Sequence, residues 1–252
     1  MHLVVGSFVT IDGVVQAPGA PDEDRSGGFE HGGWMVPFFD DDLGQRMADW
    51  CARADALLLG RRTYEIFAAH WPHAADPSDP IADTFNRVPK HVASRTLQST
   101  DWHNARLIDG DVADAVRELK RHGGGELQVH GSAGLVQTLL ANDLVDEWRL
   151  WIAPVVLGHG KRLFGTWSVP AALTLTDSHV TSTGAQLLVY RRAGAVAHGS
   201  FALDPPTAEE VARRASIAVD RPAPHHGKDD DGKDDDEAPE PPLPGFANPL
   251  PA

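Results

Sequence analysis

Leu57-Leu58-Leu59-Gly60-Arg61-Arg62-Thr63-Tyr64-Glu65 decides the reading of the fold: an apolar run of strand length ends in glycine, two arginines and a threonine, and a helical pattern begins at once. A helix amino terminus at the carboxyl end of a sheet strand offers unpaired N–H groups and the positive end of a dipole. Arginine forks and a threonine hydroxyl add to its hold on phosphate. Gly60, Arg61, Arg62 and Thr63 are therefore candidate cofactor-binding residues, the alternative being a plain strand-to-helix turn with Thr63 or Arg62 near the cap. Gln128-Val129-His130-Gly131-Ser132-Ala133-Gly134-Leu135 repeats the pattern and makes Gly131, Ser132, Ala133 and Gly134 candidates for the same work. It is not the G-x-G-x-x-G fingerprint, and glycine turns open helices without any ligand too. A third strand end, Val92-Ala93-Ser94-Arg95-Thr96, carries two hydroxyls and a guanidinium, which suit a ribose 2′-phosphate. Three phosphate-competent strand ends in one sheet suit a dinucleotide better than any one of them does alone.

Outward from these turns, strand-length apolar runs alternate with helical patterns, the order of an α/β sheet covered by helices. Strands are expected over residues 3–9, 54–60, 90–93, 106–108 and 126–129. Helices are expected over 42–53, from 62 to about 69, 80–86, 112–121 with Asp111 as cap, and 133–141. Residues 13–33 are too rich in Gly, Pro and Asp for regular structure, and such loops are commonly functional. The last third changes character: residues 145–158, 171–183 and 185–191 read as long strands, the latter two joined at Gly184, so the sheet ends in an antiparallel hairpin. The expected fold is α/β, with a mixed, mostly parallel central sheet between helical layers.

Composition shifts near Arg192. Residues 195–252 hold 10 of the 19 prolines and 12 acidic against 5 basic side chains, and the run 225–245 has almost nothing apolar to offset ordering entropy. The domains are therefore read as 1–192, folded, and 193–252, an acidic disordered tail with one weak helix over 207–216, where Thr207 stands three residues before Glu210. Half of the net charge of −14 belongs to the tail. That acidic balance argues against nucleic acid and anionic membrane as partners. One cysteine, Cys51, excludes an intrachain disulfide and a multi-cysteine metal site, and the start shows neither a basic n-region nor a long apolar stretch, so a cytoplasmic location is expected.

The chain resembles the dihydrofolate reductase superfamily, specifically its RibD C-terminal, riboflavin-biosynthesis reductase type. The likeness is carried by VVGSFVTIDGVVQ at 4–16, LLLGRRTYE at 57–65, VASRTL at 92–97, LQVHGSAGLVQTLL at 127–140 and VDEWRLWIAPVVLGHGKRLF at 145–164. The resemblance implies a dihydrofolate reductase-like three-layer fold with NADPH bound across the carboxyl ends of the sheet. It assigns 60–63 to the pyrophosphate, 94–96 to the 2′-phosphate and 131–134 to a second phosphate-binding helix start. It places substrate beside Ser7, Asp12, Gly13 and Trp34. It implies hydride transfer to a small heterocycle, foremost 5-amino-6-(5-phosphoribosylamino)uracil, with dihydrofolate or another pterin or carbonyl compound as alternative, and a noncatalytic nucleotide-binding protein as a third reading.

Other residues are open to simpler readings. Asp40, Asp41 and Asp42 are explained by capping and by the helix dipole, although a proton donor among them stays possible, and no catalytic residue is assigned. His70 and His73 lack a third ligand, no metal is expected, and the HxE and PCxxC pattern of a zinc deaminase is missing. Outside the cofactor elements, Lys161 and Arg162 are the basic candidates for a substrate phosphate. Long terminal strands favour a homodimer.

Overall fold

The computed structural model describes residues 1–219 apart from 75, 77 and 166–168; the acidic run 225–245 lies outside the described residues. The chain divides into two units, Met1–His198 and Gly199–Ala252. In the first, the described strands are β1 (His2–Thr10), β2 (Ala54–Gly60), β3 (Lys90–Ala93), β4 (Ala105–Leu107), β5 (Glu126–His130), β6 (Glu147–Ala153), β7 (Ala172–Val180) and β8 (Gln186–Gly194). They form one sheet in the order β4-β3-β2-β5-β1-β6-β8-β7. Pairing is parallel from β4 through β6 and antiparallel at β6–β8 and β8–β7.

β2 lies third in this order, and Leu57, Leu58 and Leu59 are all wholly buried, as a strand covered on both faces requires. α1 (Asp41–Cys51), α2 (Arg61–His70) and α3 (Pro80–Arg87) pack over Leu57, Leu59 and Val92. α4 (Val112–Arg121) and α5 (Ala133–Ala141) pack over Val5, Leu58, Leu127 and Val129 on the opposite face. The expected three-layer α/β architecture and closing hairpin are present, with Gly184 at φ +83° in the turn.

The differences from expectation have local causes. The strand read over 145–158 ends at Ala153, because Pro154 brings no N–H to the ladder and the chain folds back through a bond from Val155 N to Ala153 O of 2.8 Å. β8 runs two residues past Arg192, Gly194 still pairing with Ala172. In the second unit α6 (Ala208–Val219) occupies the weak helical segment, and the Glu210 amide donates to the Thr207 hydroxyl at 3.2 Å. No described helix is long and apolar enough to cross a membrane.

Candidate functional site

Because β1, β2, β3, β5 and β6 are parallel, their carboxyl ends open on one side of the sheet, and a cleft of about 1210 Å³ runs across them. All eleven residues read as cofactor-binding line it: Gly60–Thr63, Ser94–Thr96 and Gly131–Gly134. The β2–α2 and β5–α5 turns are clipped together. The Ser132 hydroxyl shares a hydrogen bond of 2.7 Å with the Thr63 hydroxyl, which also accepts from the Ser132 amide at 3.1 Å. A Cβ on Gly60 would lie 2.7 Å from that of Ser132, so the approach requires glycine.

That clip leaves two helix ends bare. α1, α3 and α4 open with Asp40, Asp79 and Asp111, whose carboxylates accept from first-turn amides at 2.8 to 3.2 Å. α2 and α5 have no side-chain cap, since Gly60 has no side chain and the Ser132 hydroxyl is turned to Thr63. Uncapped first-turn amides at the wall of a cleft are anion sites in waiting. The third turn is held by the Ser94 hydroxyl, which accepts from the Thr96 and Leu97 amides at 3.2 and 3.0 Å. This leaves the exposed Arg95 without a hydrogen bond or ion pair among the described residues.

The other basic groups are paired internally. Arg61 holds Glu65 at 2.9 Å. Arg62 donates to both Asp24 oxygens at 3.0 Å and to the Ser26 hydroxyl at 2.7 Å, and Lys161 Nζ meets the same Asp24 at 2.5 Å. Burial would raise the Asp24 carboxyl, but Lys161 and Ser26 hold it down at about 2. Gln16 shapes this loop, donating to the carbonyls of Asp24 and Ser26 at 3.0 and 2.9 Å. Next along it, Glu23 also lines the cleft; burial raises its carboxyl against the Gly19 and Ala20 amides that donate to it.

Of the four residues expected at the substrate, only Ser7 lines the cleft. Asp12 is turned away: its carboxylate accepts from the Thr10 hydroxyl at 2.6 Å and from the Leu157 and Gly158 amides at 3.2 and 2.8 Å, which ties the end of β1 to the loop after Pro154. Those bonds, Thr10 first, outweigh burial and hold it at about 2. Gly13, at φ +87°, makes the turn between them, and Trp34 is buried with Nε1 donating to the Gln16 carbonyl at 2.7 Å. These three build the loop frame. Arg162 donates to the carbonyls of Asp12 and Gly158, leaving Lys161 as the one of that pair on the cleft.

The acids opening α1 also stay out. Asp40 accepts from the Ser182 hydroxyl at 2.6 Å, and Asp42 pairs with Arg46 and His179, so α1 shows the cleft only Met47 and Cys51. Sequence reading missed His130, Asp24, Glu23 and the aromatic wall of Phe67, Trp71 and Phe85. Only His130, at the end of the glycine-turn strand, carried a usable signal.

Comparison with known proteins agrees with this architecture. The sequence profile of the RibD C-terminal domain matches residues 1–189. The uncharacterised protein YyaP of Bacillus subtilis (strain 168) is 30% identical over 192 residues, 75% of this chain and 94% of that protein. A protein described as a riboflavin biosynthesis protein, from Shewanella sp. PV-4, superposes with a TM-score of 0.58 at 23% identity, over 77% of this chain and 99% of that one. Dihydrofolate reductase from Enterococcus faecalis, solved with NADP(H), gives 0.50 at 12% identity, over 76% and 96%.

Proposed function

Since the chain belongs to the RibD C-terminal domain family, we propose that it is an NADPH-dependent reductase transferring hydride to a small heterocyclic substrate, and that it works as a soluble cytoplasmic homodimer. The observation that carries the reading is the pair of uncapped helix ends, α2 and α5, clipped side by side on one cleft with Arg95, which has no partner among the described residues. The residues present fit the cofactor. The first-turn amides of α2 with Thr63, and those of α5 beyond Gly131, would hold its phosphates; Arg95 and Thr96 would hold the 2′-phosphate. When bound, the reduced nicotinamide supplies the hydride. The protein's share is positioning and exclusion of water, with Glu23 the described cleft carboxyl whose proton affinity is raised.

The substrate to assay first is 5-amino-6-(5-phosphoribosylamino)uracil, whose phosphate would meet Lys161; dihydrofolate follows. The test is titration of the protein with NADPH and NADH, then NADPH oxidation with each substrate. Tight NADPH and weak NADH binding supports the reading. Failure of both to bind removes it, and binding without turnover across the panel favours a noncatalytic nucleotide-binding protein.

A further inference from the structure

Six of the residues lining the cleft, Phe8, Met47, Cys51, Phe67, Phe85 and Trp151, from β1, α1, α2, α3 and β6, give it an apolar chamber. Their rings form two pairs: Phe8 lies 5.3 Å from Trp151, and Phe67 stacks on Phe85 at 5.6 Å. Burial pushes the Cys51 thiol up to about 12, so no charge enters from this residue. An imidazole stands among them: His130 on β5, whose ring packs 5.0 Å from Phe85. Burial, reinforced by Arg149, pushes it down to about 4, and it is neutral at physiological pH.

The tautomer of that imidazole follows from its neighbour. Gln128, buried beneath it, donates through its amide nitrogen to the Trp50 carbonyl and to Glu126 Oε2, both at 2.7 Å. Its amide oxygen therefore faces His130 Nε2 at 3.0 Å as an acceptor, and Nε2 carries the hydrogen. Nδ1 is left as a bare acceptor with no partner among the described residues. It stands beside Gly6, also on the cleft, where a Cβ would come within 3.7 Å. Two buried indole donors, Trp71 Nε1 and Trp151 Nε1, likewise lack partners among the described residues and belong to residues lining the cleft. An acceptor left open on the cleft wall calls for a bound donor or water.

We propose that this chamber takes an uncharged planar ring that donates one hydrogen bond to His130 Nδ1, which makes His130 the specificity-determining residue of the substrate site. The inference rests on the reductase reading, and it names the substrate class of that same cleft. A charged ring would lose its hydration against the aromatic carbon and sulfur of these six residues, and a ring without a donor would cover Nδ1 and leave it unsatisfied.

The test is calorimetric titration of the full chain, without cofactor, using three bicyclic probes: quinazolin-4(3H)-one, which is neutral with one lactam N–H; its N3-methyl derivative; and the more basic 2,4-diaminoquinazoline. The lactam is expected to bind about tenfold or more tighter than the N-methyl compound, and tighter than the diamine. In His130→Phe the lactam's advantage over the N-methyl compound should collapse to about unity. The wild-type pair of probes decides the question even if that variant fails to fold. Equal binding of lactam and N-methyl compound, or preference for the diamine, overturns the proposal. So does binding of none of the three by protein that still binds NADPH, an outcome that leaves the reductase reading standing; failure to bind NADPH strikes that reading instead.

Discussion

Arg95 and Arg62 are guanidiniums on the same cleft that differ in whether the protein already pairs them. Arg95 has no partner among the described residues, whereas Arg62 is spent on Asp24 and Ser26. Arg95→Ala is therefore expected to weaken NADPH by ~1–3 kcal/mol while leaving NADH nearly unchanged, read by parallel titrations of wild type and variant. His91 tests the electrostatics of the core. It is buried on β3 with Arg106 at 3.3 Å, and burial first, then that arginine, pushes it down to about 4. Between pH 6.5 and 4 the unfolded chain binds a proton that the folded chain refuses, so stability falls as pH drops through this window. Urea unfolding of His91→Gln should show a slope against pH shallower by about one proton than wild type; an unchanged slope removes His91 from the account.

At the scale of elements, what could be read in the sequence was what repeats locally. β2, β3, α4 and α5 have the bounds that periodicity and turn residues imply, and Asp111 caps α4 as its type predicts. That eleven residues from three turns would gather on one cleft was legible because each group sits where a strand stops and a turn or helix starts. The place of Asp12, Gly13 and Trp34 in the loop frame was not, for reasons that lie between elements. Asp12 and Trp34 are spoken for by partners up to 146 residues away, and the tautomer of His130 depends on the amide orientation of Gln128, which Trp50 fixes. No local pattern encodes such partners. Gly131, at φ +84°, joins the two kinds of information. Gly131→Ala should cost ~1–2 kcal/mol in urea unfolding from the left-handed backbone alone. NADPH binding should weaken with it, because the turn also aims the first amides of α5.

For the whole molecule, every described core cluster lies within the first unit, Met1–His198. A chain ending at His198 should keep the thermal midpoint within a few degrees and retain the NADPH titration, measured by calorimetry beside the full chain. A large drop would show that Gly199–Ala252 contributes to the folded state. The bridge from Arg62 through Asp24 to Lys161 has a consequence for how anions enter. A ligand phosphate reaching Arg62 must evict a carboxylate that is already there, so capture at that point is an exchange of one anion for another and frees few mobile counterions. At Arg95 no such occupant exists. Raising ionic strength should therefore erode the contribution of Arg95 to binding and hardly touch that of Arg62, a contrast that titrations of the two alanine variants across a salt series would display.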